Sequence, residues 1–224
     1  MEKIDYAFMQ AVDEAFDIKT RIIELGARVI ENQKPLSARN IFNKGYSSDE
    51  YTGLDYIEGD HVDIACDVRE LPFEDKSINT VIAMNLFEHV EESWRAFDEI
   101  KRVIGDDGTV IIATPFCYNI HGCPYDYYRY TPSFYTNTFK DFDTKITVTI
   151  GYNQRPKMVY FIGGNNKSLG EDFEKFKAIY AEKHKTSLKP MSKFLAKIRS
   201  KLSPNHFRND IRYQHTFDIN IEKK

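Results

Sequence analysis

Two acids stand at the ends of short apolar runs. Tyr51-Thr-Gly-Leu leads into Asp55, and Val62-Asp-Ile-Ala-Cys leads into Asp67. Ligands of open parallel sheets bind at the carboxyl ends of the strands. Two carboxylates there can grip a nucleoside, one taking both ribose hydroxyls and the other the adenine amino group. The plainer alternative is that both aspartates cap the turns that follow them. A second concentration of chemistry lies at 116–135, Phe-Cys-Tyr-Asn-Ile-His-Gly-Cys-Pro-Tyr-Asp-Tyr-Tyr-Arg-Tyr-Thr-Pro-Ser-Phe-Tyr. It is a loop rich in aromatic and ionisable side chains after an apolar strand, and such loops carry function more often than cores do.

These residues need a scaffold, and the pattern supplies one. Ile4, Phe8, Ala11, Val12 and Phe16 recur at helical spacing, which predicts a packing helix over 3–18. Ile22, Ile23 and Leu25 predict a buried strand, and Gly26 a tight turn where backbone can approach a ligand closely. Glu24, an acid inside that strand, has a plainer alternative to a site role, an edge position facing water. An apolar strand ends at Asn85. Trp94, Phe97, Ile100, Val103 and Ile104 then repeat with helical period up to a glycine turn, Gly105-Asp-Asp-Gly108. Thr109 to Thr114 form the next strand, ended by Pro115. Thr131-Pro-Ser opens a short helix with Thr131 as N-cap. Segments 143–150 and 157–163 alternate and read as an antiparallel pair, and 170–183 as a helix. Strands alternating with helices predict a mostly parallel α/β sheet. From Lys183 to Leu202 the chain carries cations and no acid. This stretch reads as a basic amphipathic helix, either packed with a solvated cationic side or lying on an anionic membrane surface or partner.

A chain of 224 residues suits one domain with an appendage, divided here as 1–166 and a C-terminal helical extension, 167–224. The formal charge of -3 gives no pull toward nucleic acid. Cys66, Cys117 and Cys123 include no CxxC pair, against a disulfide framework and for a reducing compartment. With no signal-peptide pattern and no long apolar run, a cytoplasmic location is expected.

Taken in order, Glu24-Leu-Gly-Ala-Arg28, Tyr51-Thr-Gly-Leu-Asp55, Val62-Asp-Ile-Ala-Cys-Asp67, Glu70-Leu-Pro-Phe73, Leu86-Phe-Glu-His89, Glu99-Ile-Lys-Arg-Val103, Gly105-Asp-Asp-Gly108 and His121-Gly-Cys-Pro-Tyr-Asp-Tyr-Tyr-Arg-Tyr-Thr-Pro132 carry a resemblance. Over residues 20–165 the chain resembles the class I S-adenosylmethionine-dependent methyltransferases. Within that superfamily it is most similar to small bacterial enzymes associated with surface-polysaccharide modification. The resemblance implies a Rossmann-like, mostly parallel sheet with an antiparallel edge strand, plus C-terminal helices, and S-adenosylmethionine (SAM) as cofactor. It implies that Glu24, Gly26 and the backbone near Ala27 and Arg28 face the methionine end. Asp55 would take the ribose hydroxyls, with Tyr56 along the adenine. Asp67 would bond the adenine amino group with Val68 beside it, and Asn85 and Leu86 would line the sulfonium, with Glu88 and His89 following at the cleft.

The chain departs from the family pattern in two places. The glycine-rich loop is reduced to Gly26, with Arg28 as a cation that can pair with the cofactor carboxylate, and the acid usual before the fourth strand is Asn79. Methyl transfer from a sulfonium is an in-line displacement, served by alignment and desolvation. An alcohol acceptor also needs a base. His121 is the first candidate and His89 the second, because imidazole titrates near neutrality. Asp126 would orient His121 or bind an acceptor hydroxyl, and Tyr127 and Arg129 would hold the substrate, Arg129 through an anionic group. The alternative is a loop pinned by its own hydrogen bonds, with Asp126 ion-paired to Arg129 and His89 structural. No cluster of acids and amides suggests a metal site. The expected activity is O-methylation of a small polar acceptor such as a sugar, a nucleotide-sugar or a phosphate-containing glycan precursor. The competing reading is a non-catalytic binding or partner subunit with this fold. A nicotinamide-dependent dehydrogenase fits poorly, because pyrophosphate needs the missing glycines. Oligomeric state is left open.

Overall fold

The computed structural model describes residues 3–29, 37–42, 44–45, 47–122, 125–152, 155–187 and 217–223. In chain order the elements are α1 (Lys3–Ala15), β1 (Ile22–Leu25), α2 (Arg39–Phe42), β2 (Tyr51–Asp55), β3 (Ile64–Ala65), β4 (Ile78–Met84), a 3-10 turn (Phe87–His89), α3 (Ser93–Val103) and β5 (Ile104–Pro115). They continue with α4 (Pro132–Thr138), β6 (Thr144–Tyr152), β7 (Arg155–Gly164), α5 (Ser168–Glu171), α6 (Phe173–Ser187) and β8 (Phe217–Lys223). One eight-stranded sheet runs β3-β2-β1-β4-β5-β7-β6-β8. The first five strands are parallel and the last three antiparallel to their neighbours. This is the expected Rossmann-like sheet.

Period-two side chains divide the core into two layers. Ile82, Ile111, Ala113, Ile146, Val148, Tyr160 and Ile162 face α1 and α6, where Phe8, Met9, Val12, Phe176 and Tyr180 fill the gap. Val81, Ala83, Val110, Ile112, Val159 and Phe161 face the other way, onto Phe97, Ile100 and Val103 of α3 and Tyr135 of α4. Runs buried on both faces are what a covered parallel sheet requires. Thr131 caps α4 as expected, its hydroxyl accepting from the Phe134 amide.

The strand ends line up. Leu25 pairs with both Leu54 and Ala83, so Gly26, Asp55 and Asn85 leave the sheet along one rim. Chain order reverses between β1 and β4, the topological switch where ligands bind such sheets. Gly53 holds the register there: a Cβ at that position would lie 2.1 Å from the His61 carbonyl oxygen.

Several local expectations change. The strand before Asp67 is only two residues long. Gly105 to Gly108 do not form a turn between helix and strand but a bulge inside β5, since Ile78 pairs with Ile104 and Thr80 with Thr109. Glu24 is not at an edge: β1 lies between β2 and β4, and Glu24 is buried. The C-terminal region expected to be helical supplies α6 and also β8, which pairs along β6. Ile219 and Ile221 alternate with polar residues there, too short a signal to stand out beside the charges. The basic stretch 183–202 lies outside the described residues beyond Ser187, where α6 ends. None of the described helices is long and apolar enough to cross a membrane.

Candidate functional site

At the switch point, Gly26 adopts φ +75°, and a Cβ there would touch the Leu86 side chain at 3.3 Å. Leu86 therefore packs directly over the β1 turn. The amides of Gly26 and Ala27 both donate to the Leu54 carbonyl, at 2.8 and 2.9 Å. The Arg28 amide donates to Asp55 at 3.3 Å, and the guanidinium Nε lies 3.6 Å from the same carboxylate. The turn after β1 is thus folded back on the end of β2, and Arg28 pairs with Asp55. Asn85 holds φ +56°, a backbone region that asparagine tolerates better than most residues. Asn79 donates to the Thr20 carbonyl at 2.8 Å, tying β4 to the start of β1.

The two aspartates differ in their remaining capacity. A carboxylate offers about four acceptor sites. Asp55 uses one for the Arg28 amide and one for the Ile57 amide at 3.1 Å, which leaves room for a pair of ribose hydroxyls. Tyr56 and Ile57 beside it are 74% and 54% exposed, an apolar shelf open to a flat ring. Asp67 is fully taken by Arg69, through the Arg69 amide at 2.9 Å, Nε at 2.9 and 3.0 Å and Nη2 at 2.6 Å. The Arg69 hydrogen bonds hold the Asp67 carboxyl below its ordinary range. An adenine amino group reaches Asp67 only by trading with Arg69. Val68 is buried. An adenosyl group fits at Asp55, Tyr56 and Ile57; at Asp67 the turn-capping alternative describes the hydrogen bonding better.

Glu24 lies under this rim rather than in it. It accepts from the Tyr51 hydroxyl at 2.7 Å, and Arg39 stands nearby. Burial pushes its pKa up to about 7, against the pull of Tyr51 and Arg39.

The second cluster forms where the 3-10 turn after β4 meets the loop after β5. The amides of Tyr127 and Tyr128 both donate to the Glu88 carbonyl, at 2.7 and 3.3 Å. The Tyr128 hydroxyl reaches the Glu91 carbonyl at 2.6 Å, and the Tyr130 hydroxyl reaches Ser93 at 2.7 Å. These bonds sew the two segments together and bring His121 to His89, ring centroids 4.8 Å apart. Asp126 accepts from the His121 amide at 2.9 Å and lies 3.3 Å from His121 Nδ1. Arg129 grips Asp126 through both terminal nitrogens, and this holds the Asp126 carboxyl well below the usual range. Arg129 also donates to the Tyr128 carbonyl at 2.7 Å. The ion-paired alternative is therefore what the loop shows, with Arg129 buttressing Asp126. Tyr127 is exposed and stacks on Tyr125, centroids 6.2 Å apart.

Glu88 is the residue that sequence reasoning left without a role. Its side chain is 0% exposed, with His89 Nε2 and His121 Nε2 at 3.7 and 3.8 Å from Oε1. Neither carboxyl oxygen has a hydrogen-bond partner among the described residues. Burial pushes its pKa up to about 8; its own main-chain amide and Arg129 oppose this, while Asp126 and Asp5 add to it. No metal was expected, yet the ligand atoms of Glu88, His89 and His121 all lie within 4.8 Å of one another. The signal available in sequence was an acid between Phe87 and His89 in an apolar turn. Its convergence with His121 depends on the fold. Asp5 was likewise missed. It sits on the buried stripe of α1, accepts from the Tyr160 hydroxyl at 2.7 Å and lies 3.5 Å from Asn85 Nδ2. The helix expected to pack across the sheet thus also supports the β4 rim.

Comparison with known proteins bears on the domain and the fold. A family model described as "Methyltransferase domain" matches residues 37–112. That span holds Asp55, Asp67 and Asn85 to His89 but neither Gly26 nor the loop of His121. Among solved structures, a chain from the complex between the Haloferax volcanii Trm112 methyltransferase activator and a methyltransferase superposes with TM-score 0.51. It is 16% identical, and the match covers 71% of this chain and 90% of that one. The Burkholderia thailandensis 1,6-didemethyltoxoflavin-N1-methyltransferase, with 1,6-didemethyltoxoflavin and S-adenosylhomocysteine bound, gives TM-score 0.51 at 12% identity, covering 71% of this chain and 78% of that one. No curated protein matches the sequence. Residues 37–112 thus match a methyltransferase domain, and the fold is shared with these two structures.

Proposed function

We propose that the chain transfers the methyl group of SAM to an oxygen of a small polar acceptor. A sugar, a nucleotide-linked sugar or a phosphate-containing precursor of a surface glycan is the substrate class, and the glycan assignment rests on resemblance in sequence. The observation that carries the oxygen assignment is the side-chain cluster that follows Leu86, where the Nε2 atoms of His89 and His121 face one buried carboxylate. Transfer to oxygen needs a group that takes charge of the hydroxyl proton. Here His121 activates the acceptor, Asp126 orients His121, His89 completes the pocket, and Tyr127 with Tyr125 forms the outer wall.

The cofactor half of the proposal assigns Asp55 to the ribose, Tyr56 to the adenine and Gly26, Asn85 and Leu86 to the methionine end. Arg28 leaves Asp55 and turns to the cofactor carboxylate. Asp55→Ala is expected to weaken SAM binding by roughly 1–3 kcal/mol, the scale of hydrogen bonds to a charged group. Calorimetry on the folded variant checks this, and unchanged affinity would remove the assignment. Release of S-adenosylhomocysteine over a panel of sugars and nucleotide-sugars then identifies the acceptor.

The arginines seated on Asp55 and Asp67 favour one competing reading, a partner subunit that keeps the fold without the chemistry. Under that reading the wild-type chain does not bind SAM even at millimolar concentration.

A further inference from the structure

We propose that Glu88, His89 and His121 form a site for one divalent transition-metal ion at the mouth of the acceptor pocket.

The argument begins with the imidazole protons. His89 Nδ1 lies 2.5 Å from the Tyr125 carbonyl oxygen and His121 Nδ1 lies 3.1 Å from the Asn119 carbonyl oxygen. A carbonyl only accepts, so each neutral ring carries its proton on Nδ1 and keeps the lone pair on Nε2. Both Nε2 atoms face Glu88, at 3.7 and 3.8 Å. Those gaps are too long for hydrogen bonds. Bonds of about 2.0–2.2 Å to a central ion place neighbouring ligand atoms about 3–3.6 Å apart, so the two gaps to Glu88 close by a few tenths of an ångström and the widest separation in the set, within 4.8 Å, by about 1 Å.

The surroundings are those of a ligand set. Metal-bound histidines characteristically donate their other N–H to a carbonyl or carboxylate. His89 does so to Tyr125, and His121 does so to Asn119 with Asp126 alongside. Glu88 is fully buried, and both its oxygens are unpartnered among the described residues, a costly arrangement for a carboxyl group with nothing to bind. Gly122 packs its backbone on the His89 ring, where a Cβ would lie 2.7 Å from Cε1. Two imidazoles and one carboxylate select zinc, iron(II), manganese or cobalt over magnesium or calcium. Three protein ligands leave positions open. The two histidine side chains are 27% and 33% exposed, so a ligand can reach the ion from solvent.

The site itself stands apart from the methyl-transfer reading, but its use rests on it. An acceptor hydroxyl on the ion loses its proton to solvent more readily. Its oxygen then bonds to the methyl carbon as the carbon–sulfur bond of SAM breaks, leaving S-adenosylhomocysteine. His121 acts on the acceptor through the ion rather than as a free base.

The test is a Co(II) titration of chelator-stripped, dialysed protein, read by visible absorption. One equivalent per chain is expected. Glu88→Gln and His121→Ala should each weaken uptake about 100-fold or more, beyond the range of outer-shell changes, with SAM affinity retained as the control for folding. His121 is partly exposed, so its variant keeps the test open if Glu88→Gln fails to fold. Wild-type protein that takes up no Co(II) while still binding SAM would overturn the site, and so would variants that bind Co(II) like wild type. Uptake of Co(II) without any SAM binding would support the site and sink the methyl-transfer reading instead. Turnover by stripped enzyme that added metal does not raise would remove the ion from acceptor activation.

Discussion

Glu24 and Glu88 are carboxyl groups taken out of water, and they differ in what they meet. Glu24 meets the Tyr51 hydroxyl, whereas Glu88 meets two imidazole nitrogens at a distance that bonds neither. The Glu24 pKa rises from 4.5 to about 7 on folding. The folded chain therefore holds this proton more tightly than the unfolded chain. Its contribution is fully present below about pH 4.5 and is lost as pH rises through about 7. Glu24→Gln keeps an acceptor for Tyr51 and carries no charge. Wild type should lose on the order of 3 kcal/mol relative to this variant across that window. Denaturant unfolding of both proteins at stepped pH checks it, and parallel profiles would contradict it. Asp55 and Asp67 differ in the same way: equal in sequence, one keeps free acceptor sites and the other has spent them on Arg69.

At the scale of elements, the His89–His121 cluster depends on two segments joined by hydrogen bonds from Tyr127 and Tyr128 to the Glu88 carbonyl. The 3-10 turn offers Glu88 and His89, and the loop after β5 offers His121 and seats Gly122 on the His89 ring at φ +62°. Gly122→Ala strains that backbone and drives a methyl group into His89. Turnover should fall by about 100-fold, the scale of a reacting group misplaced by about 1 Å, while SAM affinity stays as in wild type. Steady-state kinetics beside calorimetry separates the two effects. An equal loss of both would mean that the loop supports the cofactor cleft as well. The bulge at Gly105–Gly108 and the two-residue β3 show that element boundaries respond to their neighbours. Thr80 must meet Thr109, and the extra residues have to go somewhere.

For the whole molecule, β8 forms the sheet edge opposite β3. Phe217, Ile219 and Ile221 lie opposite Ile150, Val148 and Ile146, and Phe217 packs on Tyr180 of α6. A chain cut before Phe217 uncovers the β6 edge and part of the core beneath α6. The expected cost is about 3–5 kcal/mol from three partly buried side chains, with concentration-dependent association through the open edge. Thermal unfolding and light scattering check this. SAM affinity of the cut protein, measured below its transition, should match that of the full chain.

The sequence by itself determined the sheet, because runs such as Val81 to Ala83 and Val110 to Ala113 can only be buried on both faces, and it determined the rim, because Gly26, Asp55 and Asn85 each end such a run. Even the helix at 3–15 was legible in its apolar stripe. What the tertiary structure decided is which polar groups meet. Arg28 follows β1 and Asp55 ends β2, and Glu88 and His121 lie on different segments, so no local pattern encodes either encounter. A carboxylate's role is set by the donors that reach it and the water that does not, and both depend on packing between parts of the chain distant in sequence.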